Sequence, residues 1–153
     1  MFYHENAIRL FRLSVHDLCA IVEQSLRILK ECDSDGDGKF LQLSGAKAKY
    51  DLTRDPCLIR LSLHGTSKTL DPNDKTTMYV VATNDYVAYK CKAYKQWFEG
   101  KEIAKVDEDI KKAVEAELRA LAALEKQGKK PRFKDALSTE RRWDAVGTLA
   151  PKR

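Results

Sequence analysis

A chain of 153 residues, 43% hydrophobic and 33% charged, has enough apolar surface for one core and too much to be a disordered segment. No apolar run approaches the roughly 20 residues that span a bilayer, and residues 1–6 lack the charged-then-apolar order of a signal peptide. The formal charge of +5 is held unevenly: residues 126–153 carry +6 and residues 1–125 carry −1, which points the C-terminal end towards a polyanionic or protein partner.

Ile8, Phe11, Val15, Leu18, Val22, Leu26 and Leu29 recur every three or four residues, the spacing of one helix face. That helix runs from about Asn6 to about Cys32, or starts at Ser14, where Ser14-x-x-Asp17 resembles a capping box with Asp in place of Glu. Ile21 and Ile28 widen the stripe, so the helix is expected to cover the buried face of a sheet. Residues 40–43 fit a short edge strand. Residues 46–52 fit a helical turn stopped by Asp55-Pro56.

Residues 58–64, 76–83 and 86–93 read as three successive strands, the last two joined by Asn84-Asp85 as a hairpin turn. Residues 94–100 fit either a strand end or a helix. Asp107, Glu108 and Asp109 then open a helix lined by Ile110, Val114, Leu118 and Leu121, closed by Lys126 and Gly128. Lys129, Lys130, Arg132 and Lys134 make a basic linker, and residues 137–146 fit a short helix carrying Trp143. The expected fold is α+β: an antiparallel three- or four-stranded meander packed by the N-terminal helix, with a long C-terminal amphipathic helix and a basic tail. Residues 1–128 would form one domain and residues 129–153 the tail.

The sharpest local motif is Asp33-Ser34-Asp35-Gly36-Asp37-Gly38, which resembles the first half of an EF-hand calcium loop. Its second half departs, with Leu41 at the ninth position and Ser44 where the bidentate Glu belongs. Asp33, Asp35 and Asp37 are thus a weak calcium candidate, and an exposed acidic turn is the preferred reading. Gly65-Thr66-Ser67-Lys68-Thr69 lacks the glycines of a phosphate-binding loop. Arg60, Ser62 and His64 share one face of a strand, but residues two apart sit about 7 Å from one another, too far for a Ser–His pair. Cys19, Cys32, Cys57 and Cys91 form no Cys-x-x-Cys pair, which favours a reducing intracellular compartment and no zinc.

No cofactor or catalytic residue is expected. The candidate contact residues are Lys129, Lys130, Arg132, Phe133, Lys134, Arg141, Arg142 and Trp143, whose mixture of cations and aromatics suits a polyanion or a protein surface. Lys90, Lys92, Lys95, Lys101 and Lys105 extend that basic character. The leading expectation is a non-enzymatic interaction protein that docks a larger assembly through its basic end, without a membrane. A nucleic-acid-binding module is the alternative. An enzyme working from the Arg60, Ser62 and His64 face ranks third.

Overall fold

The computed structural model describes residues 7–31, 39–66, 68–128 and 142–146. The fold is α+β, with small antiparallel and mixed sheets. β1 (Ala7–Ser14) runs directly into α1 (Val15–Glu31). Ser14 makes the reciprocal cap that the sequence suggests: the Asp17 amide donates to Ser14 Oγ at 3.1 Å, and the Ser14 amide donates to Asp17 Oδ2 at 3.2 Å. The structure therefore takes the later of the two helix starts, and residues 7–14 are strand, not helix. A loop completes the cap, since Val15 N–H donates to the Thr77 carbonyl and His16 N–H to that of Asp74.

β2 (Ala46–Tyr50) and β3 (Leu58–Leu63) follow, then β4 (Met78–Asn84), α2 (Lys95–Phe98), β5 (Glu102–Asp109), α3 (Ile110–Lys126) and β6 (Trp143–Ala145). One sheet has the order β4-β1-β5, antiparallel throughout. The other has the order β3-β2-β6, with β2 antiparallel to β3 and parallel to β6.

The expected single meander is thus replaced by two sheets. β3 and β4 are consecutive in sequence yet lie in different sheets, and residues 86–90 are a π-helical turn instead of a third strand. Residues 46–50 are strand because Ala48 and Tyr50 alternate into the core, where the expected helical turn would have buried neither in register. Residues 40–43 belong to no strand. Trp143 sits on β6, not on a helix, because residues 143–145 pair along β2.

α1 is the layer that both sheets share. Val15, Cys19, Val22 and Leu26 pack with Ala48, Tyr50, Leu61 and Leu70 on one side. Ile21 packs with Phe11, Leu13, Tyr94 and Phe98 on the other, and Leu18 touches both clusters. Glu23, also on α1, holds the start of β3: its carboxylate accepts the amides of Leu58 at 2.7 Å and Cys57 at 3.0 Å. Burial works to raise the Glu23 pKa, but those two amides and Arg27 outweigh it and leave the group below its ordinary value. Asp17 behaves likewise: burial is overcome by the Lys101 ammonium at 2.8 Å and by the Ser14 cap.

Candidate functional site: the π-helical corner

β4 ends where the Asn84 side chain accepts the Val87 amide at 2.7 Å, turning the chain out of the sheet. The next five residues, Tyr86–Lys90, form a π-helical turn closed by the Cys91 amide on the Tyr86 carbonyl at 2.8 Å. Isolated π-turns recur at functional sites because they push side chains outward that an α-turn would keep in line. Here Ala88, Cys91, Tyr94 and Phe98 face the core, while Tyr86 and Tyr89 are 50% and 43% exposed. Tyr94 is tied further by its hydroxyl, which donates to the Lys39 carbonyl at 2.7 Å.

Two surfaces flank this corner. On one side lies a broad, open concavity of about 780 Å³, bounded by Tyr86, Lys90, Lys92 and Lys39 together with Ile28 and Glu31 of α1. Among the described residues its lining holds Lys39, Lys90 and Lys92 against Glu31, and Tyr86 gives it an aromatic face. On the other side Tyr89 packs edge-on against Phe11 and its hydroxyl donates to the Glu102 carboxylate. Arg9 pairs with the same carboxylate at 2.9 Å and stands 5.7 Å from the centre of the Tyr89 ring. Tyr89 is therefore held in place by a cation, a carboxylate and a core ring, whereas the concavity beside it is open.

The residues singled out from the sequence fall elsewhere. Asp33, Asp35 and Asp37, and Lys129, Lys130, Arg132, Phe133, Lys134 and Arg141, lie outside the described residues. The Arg142 guanidinium donates to the Leu43 carbonyl at 2.8 Å. Trp143 packs on the α1–β2 cluster, with its ring 4.8 Å from Phe40 and 5.9 Å from Tyr50. Among the described residues, no three His, Cys, Asp or Glu side chains gather as a metal-binding group.

Arg60 on β3 and His64 in the turn just after it are exposed, but Ser62 on β3 is buried and its hydroxyl donates to the Lys47 carbonyl at 3.4 Å. A hydroxyl committed to the neighbouring strand is a poor nucleophile. Ser62→Ala should cost only about 1 kcal/mol, the net worth of one such bond, and leave ligand binding at the corner unchanged. Urea unfolding and a ligand titration of the variant check both halves.

Sequence reasoning missed the corner because 86–93 alternates like a strand. The signal it passed over was Asn84-Asp85, which caps a helical turn as readily as it makes a hairpin.

Residues 13–100, more than half of the chain, match the family model described as 5'-nucleotidase, C-terminal domain. No curated protein gives a match. Two solved structures share the fold. One is a 5'-nucleotidase precursor from Thermus thermophilus, 18% identical with a TM-score of 0.63, covering 94% of this chain and 26% of that one. The other, described as a 5'-nucleotidase of Staphylococcus aureus in complex with α-ketoglutarate, is 14% identical with a TM-score of 0.51, covering 71% of this chain and 23% of that one. The chain thus spans about a quarter of the length of each.

These findings correct the functional expectation. An enzyme-family domain stands where a non-enzymatic docking protein, or a nucleic-acid-binding module, was expected from the basic C-terminal end. Charge asymmetry alone misled, since it reports on partners and solubility and says nothing of fold. The match begins in β1 and ends just after α2, taking in α1, both β-hairpin strands of the second sheet and the whole π-helical corner; the chain belongs to the family of 5'-nucleotidase C-terminal domains.

Proposed function

We propose that the chain is the substrate-contacting part of a 5'-nucleotidase, an enzyme that hydrolyses the phosphate ester of a nucleoside 5'-monophosphate. The family match over residues 13–100 carries this reading. The corner supplies chemistry suited to such a substrate. Tyr86 offers an exposed aromatic face for a base, and Lys90 on the π-turn and Lys92 just beyond it offer cations for a phosphate, at a corner fixed from below by Ala88, Cys91 and Tyr94. In this reading the chain's own residues bind and orient the nucleotide, and the hydrolytic step belongs to the remainder of the enzyme.

Titration of the chain with adenosine 5'-monophosphate tests the proposal. Binding is expected, and it should weaken about tenfold or more when Lys90 and Lys92 are both replaced by alanine, since a hydrogen bond to a charged group is worth about 1.5–3 kcal/mol. Adenosine, which lacks the phosphate, should be indifferent to the lysines and sensitive to Tyr86→Ala. Absence of nucleotide binding, or binding untouched by all three changes, would remove the reading.

A further inference from the structure

A groove runs between the two sheets on the side where β4 is the terminal strand. Residues 79–83 of β4 form one wall, residues 41–46 and β3 form the other, and Leu18, Ile21 and Val22 of α1 make the floor. A strand met face-on presents every second residue, so five in unbroken succession place the groove along the edge of β4. An edge strand holds a row of N–H and C=O groups available to another strand, and proteins usually guard such edges with charge or proline. β4, MYVVATN, carries neither, and its Met78 and Val80 are 51% and 61% exposed.

The dimensions select the occupant. The groove holds about 270 Å³. Its β4 wall runs about 14 Å at the rise of an extended chain, and the N–H and C=O groups along a strand edge pair in register with another extended backbone, not with a helix whose own groups are already bonded within it. Among the described residues the walls are uncharged and the floor is apolar, which favours an uncharged segment over a charged one. We infer that the groove receives an extended, uncharged segment from the remainder of the same enzyme, which hydrogen-bonds along β4 and sets alternate apolar side chains on Leu18, Ile21 and Val22. The inference rests on the proposal that the chain is one part of a longer 5'-nucleotidase. The Thermus protein, of which the match covers 26%, has ample chain outside the shared region to supply such a segment. A strand seated there would link the two sheets across α1 and brace β4, from whose end the π-helical corner springs.

The probe is a short synthetic peptide of alternating valine and threonine, titrated into the 153-residue chain and followed by amide-resolved NMR. Shifts confined to residues 79–83 and 41–46, with slower hydrogen exchange along β4, are expected. The same peptide N-methylated at alternate residues should produce none, because it cannot complete the ladder. Val80→Lys should abolish the response without lowering the unfolding midpoint, since Val80 is largely exposed; Ala82→Pro serves as a second block if that variant folds poorly. No response, shifts elsewhere, or equal response to the N-methylated peptide overturns the inference. So does a dimer of the free chain that Val80→Lys dissolves, for then the edge belongs to a second copy. The nucleotide titration is read separately: a failed peptide titration beside intact nucleotide binding removes the groove alone, and the converse removes the nucleotide reading alone.

Discussion

Replacing Phe11 with alanine should cost about 3–5 kcal/mol, the range for deleting a buried aromatic ring. Phe11 is fully buried on the central strand of its sheet, opposite Val81 of β4 and Glu102 of β5. Its ring meets Phe98 edge-on at 4.8 Å and Tyr89 at 6.1 Å, so it contacts both ends of the segment that makes the corner. The void would open among side chains from β1, α1 and the π-turn, which cannot collapse together because each is fixed by a different hydrogen-bond ladder. Against a total stability of about 5–15 kcal/mol, the variant should be largely unfolded at modest urea. Phe11→Leu, which keeps most of the volume, should fall between. Denaturation of the three proteins, followed by tryptophan fluorescence, decides it; a loss under about 1 kcal/mol would mean that this cluster is far looser than the packing implies.

Glu23→Ala is the second large effect expected, about 2–4 kcal/mol. The carboxylate is the acceptor for two backbone amides, Cys57 and Leu58, and for the Arg27 guanidinium at 3.1 Å. Removing it leaves partly buried donors unpaired at about 1–3 kcal/mol each, and frees the start of β3 from α1. Glu23→Gln retains one oxygen and should lose less. The pH dependence carries a definite sign. A carboxyl held below its ordinary value contributes stability that is fully present above that value and fades as pH falls through the folded one. The ordinary values are 4.5 for Glu23 and 3.8 for Asp17, and both groups are lowered. The protein should therefore lose stability progressively as pH drops below about 4.5, with Glu23→Gln showing a flatter slope there. Thermal unfolding midpoints between neutral pH and acid, for both proteins, measure the difference. Identical slopes would show that Glu23 titrates normally.

The corner shows how far a sequence can be read. Lys90 and Lys92 enter from the sequence only as an extension of the basic C-terminal end, and both border the concavity. Lys101, grouped with them by charge, instead pairs with Asp17 at 2.8 Å and helps cap α1. Trp143 stands out among the basic residues as a candidate contact, yet its ring lies against Phe40 and Tyr50. Charge and aromaticity are visible residue by residue, but whether a side chain faces a partner or the core is settled by what folds over it.

By itself, the sequence determined α1 and the part of its apolar stripe from Val15 to Leu29, and offered the Ser14 cap as one of two starts, because periodicity and a cap between residues three apart are local interactions. It also determined the two strands near residues 58–63 and 78–84. Only the tertiary structure decided which strands pair. Phe11 meets Val81 and Glu102 across long stretches of chain, and β2 meets β6 from the far end of the sequence, pairings that no local pattern encodes. Ile8 and Phe11 suit a helix face by spacing, yet β1 is strand because β4 and β5 flank it and satisfy its backbone on both sides. The physical reason is the same in each case: a helix completes its hydrogen bonds within itself, whereas a strand takes its conformation from neighbours that the rest of the chain must bring to it.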